Sequence, residues 1–249
     1  MEQISTGIKG LDELLGGGFP KGKSILLVGS PGSGKTTFAI QYLYNGASER
    51  GERGLCITLD EKPEHVKANL ASFGWNLNRL EKEGKLLFID ASPFRRPRRV
   101  STGLEIGEAG IVAGVPELTL KGLVKTIRKV VEEEDVQRIV VDPITSFVMR
   151  YEGLSKRRRA VLFLFDALAE TGCTSLVTTE LRTSILDRTF QLEEFLSQGV
   201  ILLHTLVHEG NVIRAIQIEK MRGIPHDHQL RPYQIAKTGI EVFPKDKIF

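Results

Sequence analysis

The stretch Gly29-Ser30-Pro31-Gly32-Ser33-Gly34-Lys35-Thr36, with Thr37 following, restricts what this chain can fold into more than any other. It fits the spacing G-x-x-x-x-G-K-[ST] of a loop that wraps phosphate groups. Its flanks agree. Ser24-Ile25-Leu26-Leu27-Val28 is an apolar run of strand length, and Phe38, Ala39, Tyr42 and Leu43 recur at helical spacing until Asn45-Gly46, which is expected to weaken the helix. Strand, glycine turn and helix bring free backbone N–H groups and the positive end of a helix dipole to one place, a ready site for anions. Lys35 is placed to reach the β- and γ-phosphates of a nucleotide, and Thr36 to offer its hydroxyl to Mg²⁺.

The remaining pattern is that of an α/β fold. Leu55-Cys56-Ile57-Thr58-Leu59 reads as a second strand ending in Asp60-Glu61, and Lys62-Pro63-Glu64 opens a helix carrying Val66, Leu70 and Phe73, stopped by Gly74. Leu86–Ile89 leads into Asp90. Leu120, Leu123, Val124, Ile127 and Val131 trace one helix face, and Arg138–Asp142 is an apolar strand closed by a carboxylate. Lys156–Arg159 heads a further helix (Val161, Leu162, Phe165, Leu168, Ala169), followed by a strand from Thr174 into Thr179-Glu180. Leu181–Ser197 reads as a loop with a short helix. Continuous apolar strands alternating with amphipathic helices indicate a mostly parallel twisted sheet flanked by helices. Ligands of such sheets sit at the carboxyl ends of the strands, so Asp60, Glu61 and Asp142 fall on the edge that carries the glycine loop. Asp142 is the candidate Mg²⁺ holder, with an ordinary helix-cap carboxylate as the alternative. From Gly199 onward two β-rich pairs, turning at 208–211 and 237–239, predict an antiparallel β extension at the C-terminus.

The chain reads as one domain over residues 1–249, with an irregular insertion at 92–117. Pro93, Pro97 and Pro116 interrupt that insertion, and Arg95, Arg96, Arg98 and Arg99 charge it. Arginine runs of this kind are usually solvated. The net charge of +3 is too small to argue for nucleic acid by itself. Cys56 and Cys173 each lie in an apolar run outside any metal-ligand spacing, which suits buried thiols in a reducing cytosol. No charged-then-apolar leader opens the chain and no apolar run approaches a membrane span, so a cytoplasmic location without membrane contact is expected.

Several stretches together resemble the KaiC-like branch of the RecA superfamily of ATPases. They are Ser5-Thr6-Gly7-Ile8 with Leu11-Asp12 and Gly17-Gly18, the glycine loop, Ile57–Glu61, Ile139–Asp142, Thr178-Thr179-Glu180, and Lys220-Met221-Arg222-Gly223 with His226. The opening box and the Lys-x-Arg-Gly are the specific parts. The resemblance implies a RecA-like fold with ATP and Mg²⁺ as ligands. It also implies an acidic pair after the second strand that polarises the attacking water. Here that pair is Asp60 and Glu61, where the family usually has two glutamates, and Glu61 keeps the family's residue. The resemblance further implies that Lys220 and Arg222 reach a neighbouring subunit's γ-phosphate, that His226 lies near that nucleotide, and that the active form is a homo-oligomeric ring, by resemblance a hexamer. A RecA-like nucleic-acid motor remains a second possibility, with Lys156–Arg159, Arg182 and Arg188 as its basic groups. A nucleotide-gated interaction protein with slow hydrolysis, or with autophosphorylation at Ser101-Thr102, is the third.

Overall fold

Successive side chains of Ser24–Gly29 point to opposite faces of a sheet, and each face is covered. Ile25 and Leu27 pack with Phe38, Tyr42 and Leu43, whereas Leu26 and Val28 pack with Leu123, Ile127, Val161 and Leu164. A strand buried on both faces needs helices above and below it, and the chain supplies them. The computed structural model describes residues 1–92, 105–106, 111–113, 119–181, 191–208 and 210–248, with backbone alone at 105–106, 111–113 and 208.

In chain order the first half comprises β1 (Gln3–Ile4), α1 (Leu11–Leu14), β2 (Phe19–Pro20), β3 (Ser24–Gly29), α2 (Lys35–Glu49), β4 (Gly54–Thr58), α3 (Pro63–Leu70), α4 (Leu77–Lys82) and β5 (Leu86–Asp90). Then come β6 (Glu105–Ile106), β7 (Ile111–Ala113), α5 (Leu120–Glu134), β8 (Arg138–Asp142), α6 (Thr145–Val148), α7 (Leu154–Glu170), β9 (Thr174–Glu180) and α8 (Leu192–Leu196). The last strands are β10 (Gly199–His208), β11 (Asn211–Met221), β12 (Arg231–Ala236) and β13 (Gly239–Val242). Among the described residues the main sheet has 11 strands, in the order β13-β12-β11-β10-β3-β9-β8-β4-β5-β7-β6. Strands β10, β3, β9, β8, β4, β5 and β7 run parallel, and β11, β12 and β13 form the antiparallel extension. The mostly parallel sheet and its C-terminal extension agree with the sequence reading.

Four expectations change. The segment at 92–117 is not wholly irregular, because β7 pairs parallel to β5 and β6 pairs antiparallel to β7 at the sheet edge. Arg95, Arg96, Arg98, Arg99, Ser101, Thr102, Arg182 and Arg188 lie outside the described residues. Helix α4, capped by the Asn76 side chain accepting from the Arg79 amide, was not anticipated. Helix α7 begins at Leu154, ahead of Lys156, and its buried stripe is Val161, Leu164, Phe165 and Leu168, with Leu162 half-buried and Ala169 exposed.

The fourth concerns Asn45-Gly46, which does not weaken α2; the helix continues to Glu49. Gly46 serves another purpose. A Cβ there would lie 2.4 Å from Nε of Arg138, whose side chain is fully buried against the helix. Arg138 donates from Nη1 to the Tyr42 carbonyl (2.8 Å) and from Nη2 to the Ser5 carbonyl (2.9 Å), and it pairs with the Glu52 carboxylate. Its guanidinium also stacks 4.5 Å from the centre of the Tyr42 ring. Arg138 thus joins α2, β8 and the N-terminal segment.

That segment is built, contrary to its glycine-rich composition. Asp12 accepts from Ser5 Oγ (2.5 Å), Thr6 Oγ1 (2.6 Å) and the Thr6 amide (2.8 Å), while Asn45 Nδ2 donates to the Gly7 carbonyl (2.5 Å). The Ser-Thr-Gly-Ile box is therefore a clasp between the chain's beginning and α2.

Replacing glycine by alanine within a helix ordinarily stabilises by about 1 kcal/mol. Here Gly46→Ala is expected to lower stability by about 1–3 kcal/mol, the cost of overpacking against a side chain that cannot retreat. Urea denaturation of the variant beside the wild type checks both sign and size.

Candidate functional site

The carboxyl ends of the central parallel strands open into a cleft of about 240 Å³, lined by Pro31, Lys35, Thr36, Thr58, Asp60, Glu61, Val66, Asp142, Pro143 and Glu180. Each strand delivers its share by register: Gly29 stands level with Glu180, and Thr58 with Asp142. The topology therefore brings together residues separated by up to 150 positions along the chain, as the sequence reading expects for Lys35, Thr36, Asp60, Glu61 and Asp142.

The loop Ser30–Gly34 turns by left-handed backbone at Gly32 (φ 77°) and Gly34 (φ 91°). Ser33 is buried, and its carbonyl accepts from the Tyr233 hydroxyl at 2.6 Å, fastening the loop to β12. Gly29 has no room for a side chain, since a Cβ there would meet Ser33 Oγ at 2.4 Å. The helical bonding of α2 begins with the Phe38 amide on the Gly34 carbonyl (2.8 Å). The amides of Lys35, Thr36 and Thr37 therefore precede the first helical bond and face outward from the helix start.

Charge in the cleft is compensated by the protein's own groups. Lys35 Nζ folds back on its own loop, donating to the carbonyls of Gly29 (2.9 Å) and Ser30 (3.1 Å). Burial lowers its pKa, opposed by the nearby carboxylates of Glu180 and Asp142. Thr36 Oγ1 donates to Asp142 Oδ2 at 2.8 Å, and Thr178 donates to Asp142 Oδ1. Burial pushes the Asp142 carboxyl upward against the two hydroxyls and Lys35 that favour its charge. Thr36 and Asp142 present adjacent hard oxygens, the donor chemistry of Mg²⁺.

Asp60 accepts from Ser146 Oγ at the start of α6 and is half-buried. Glu61 is exposed, with one contact to Asn69 Nδ2 at 3.3 Å. The shorter acid is thus tied to α6, and the longer one lies exposed at the rim, held only by an exposed contact to Asn69. Two participants escaped the sequence reading as site residues, Thr178 and Glu180. Their signals were the Thr178-Thr179-Glu180 stretch of the resemblance and their position at the end of an apolar strand.

Lys220, Arg222 and His226 do not line this cleft. Met221 pairs with Gly199, which pairs with Ile25, so Arg222 lies near the level of Ser24. That is five residues, or about 17 Å, down the strand from Gly29. Arg222 is exposed, whereas Lys220 donates to the Glu194 carbonyl at 2.6 Å. Burial lowers the Lys220 pKa, and the charge of Arg222 lowers it further. Half-buried His226 places Nδ1 3.2 Å from the Ile224 carbonyl and its ring 4.3 Å from His228. Asp227 is engaged by Arg231 and the Gln229 amide, which leaves little for a metal at His226-Asp227-His228.

A mostly parallel sheet, a glycine loop opening a helix, and acids on adjacent strand ends together define a RecA-like phosphate-loop NTPase. Comparison with known proteins narrows the class. Residues 4–247 match the family described as the KaiC ATPase, and the chain belongs to that family. It is 33% identical over 243 residues to the circadian clock oscillator protein KaiC of Synechococcus elongatus, covering 97% of this chain and 44% of that protein. It is 34% identical over 246 residues to the KaiC of Thermosynechococcus vestitus, covering 98% of this chain and again 44% of the relative. The chain thus spans less than half the length of these curated relatives. A solved KaiC-like protein of the archaeon Pyrococcus horikoshii superposes with a TM-score of 0.82 at 35% identity, covering 98% of this chain and 99% of that one. Among the described residues, no helix is long and apolar enough to cross a membrane.

Burial works against the charge of Asp142. Asp142→Asn keeps the shape and removes that charge, and the two threonine hydroxyls can turn to suit the amide. Without ligand the variant is expected to melt about 2–4 °C above the wild type, the equivalent of about 1 kcal/mol in a chain of this size. Scanning calorimetry in metal-free buffer checks the sign.

Proposed function

We propose that this chain binds ATP with Mg²⁺ in the cleft and hydrolyses it, acting as one ATPase unit within a homo-oligomeric ring, by family resemblance a hexamer. The observation that carries the reading is the meeting of Lys35, Thr36, Asp142, Asp60 and Glu61 on one cleft at the strand ends. Residues Gly29–Thr37 would cradle the phosphates through backbone amides, and Lys35 would exchange its loop carbonyls for the β- and γ-phosphate oxygens. Thr36 and Asp142 would hold Mg²⁺, which neutralises phosphate charge when bound.

Glu61 is the proposed base. It is the acid with freedom to orient a water in line with the leaving group, while Asp60, held by Ser146, shapes the field beside it. Lys220 and Arg222 are assigned to the site of the neighbouring subunit. Arg222 lies too far from its own loop for a single side chain to bridge. A head-to-tail assembly would bring this edge of one subunit to the cleft of the next, where cations stabilise charge developing on the transferred phosphoryl group. His226 would join the same boundary.

Lys35→Ala is expected to abolish ATP binding. Glu61→Gln is expected to retain binding and slow turnover about 10²-fold or more, and Asp142→Asn to lose at least about tenfold of the gain in ATP affinity that Mg²⁺ confers, or about 1.4 kcal/mol. The shared site has its own test. Arg222→Ala and Lys35→Ala, each inactive alone, should regain turnover when mixed, because some boundaries then pair an intact loop with an intact arginine. A mixture that co-assembles by light scattering and stays inactive refutes the assignment.

A further inference from the structure

The short helix α8 connects the two parts of the proposed machinery. Glu180 lines the phosphate cleft, and its charge faces Lys35. Its carbonyl accepts from Gln191 Nε2 at 2.9 Å, and Gln191 is buried at the start of α8. The Gln191 amide donates to Glu194 Oε1 (3.1 Å), and the Glu194 amide returns to the Gln191 carbonyl (3.1 Å). At the other end, the Glu194 carbonyl receives Lys220 Nζ (2.6 Å) and Ser197 Oγ (3.2 Å). The Ser197 amide bonds to the Glu193 carbonyl, the Gln198 amide to Ser24, and the Arg222 amide to Gln198 (3.0 Å). Glu193 and Glu194 are almost wholly buried, so the helix cannot turn about its own axis without taking acids into or out of the core. Hydrogen bonds therefore link the cleft through α8 to the Lys220 ammonium, and the residues that follow α8 hold the Arg222 backbone.

We propose that Gln191 is a positioning residue: through α8 it makes the placement of Lys220 and Arg222 depend on whether the same subunit's cleft holds a triphosphate. The proposal rests on the reading of these two cations as serving the neighbouring site. Glu180 supplies the drive. Lys35 compensates it in part. A bound triphosphate draws Lys35 to itself and leaves Glu180 facing an anion, so residue 180 shifts, and the carbonyl that anchors Gln191 shifts with it. Adjacent sites would then be coupled through one turn of helix. Coupling of this kind typically changes an affinity or a rate by about 5–150-fold.

Hydrogen exchange on the full chain, with Mg²⁺ and a non-hydrolysable ATP analogue, tests this. In the wild type the analogue should slow exchange in the phosphate loop. It should also change exchange in peptides spanning 191–198 and 219–224 by about threefold or more. Gln191→Met, which keeps the volume and removes the donor, should preserve the loop response and lose the other two. Its kcat should fall about tenfold with KM for ATP within about twofold, the pattern of an interaction made after binding. A wild type that protects its loop but leaves 191–198 unchanged overturns the proposal. So does a response at 219–224 that survives in Gln191→Met, since assembly alone would then account for it. No protection of the loop at all would overturn the nucleotide reading first and this coupling with it.

Discussion

A guanidinium with no access to water stands beneath the later turns of α2, at the end of the helix away from the phosphate loop, and the orientation of α2 depends on how that charge is compensated. Arg138 has one carboxylate, two carbonyls and an aromatic face as partners, from α2 and Glu52 just beyond it and from the N-terminal clasp. An unpartnered buried ion would cost several kcal/mol, and removing one partner of such a pair typically costs about 3–5 kcal/mol. Its partners are therefore constrained to stay, and the helix that carries them has one seat on the sheet. Gly46 allows the contact, and Asn45 ties the same helix to Gly7. Lys35 and Thr36, at the start of that helix, take their places relative to Asp142 as a consequence.

The cleft itself is arranged against its own stability. Asp142 is held in an environment that disfavours its ionisation, and Lys35 in one that disfavours its protonation, each moderated by the other. Ser33 Oγ is buried beneath the loop and finds no partner among the described residues. Such groups would be replaced if the fold alone mattered, since apolar residues of like size would serve as well. Their presence fits a site completed by something that is both anionic and, through a cation, oxygen-binding. The two carboxylates at the rim differ in setting: Asp60 is half-buried on Ser146 and Glu61 is exposed beside Asn69, a difference that residue type alone does not reveal.

The fold was largely legible in the sequence because its strands are buried on both faces and so read as uninterrupted apolar runs between amphipathic helices. The glycine loop could be read because its chemistry depends on backbone and on one lysine at fixed spacing. What could not be read shares a cause. Arg138 looked like the polar first residue of an ordinary strand, and only the helix crossing above it shows that it is buried. Gly46 looked like a helix breaker because propensity describes isolated helices, and tertiary contact overrode it. Thr178 and Glu180 matter through the register of β9 beside β3 and β8, which no linear pattern states. Strand β7 rests on only two register pairs with β5, too short a run to stand out among prolines and arginines.

If the proposed shared site holds, a single chain of this kind is incomplete for a geometric reason. Along β3, β10 and β11 the sheet acts as a rigid spacer, with the phosphate loop at one edge and Arg222 at the other. No side-chain rotamer closes that separation, and bending the sheet would break ladders buried on both faces. On the reading proposed above, a cation fixed in this way would meet a phosphate on another copy, and the rigidity that keeps it from its own cleft would give one subunit control over the next. The short α8 lies between the two edges and is bonded to both. Were the cations merely solvated, nothing would favour burying two glutamates and a glutamine to anchor one of them at a helix end.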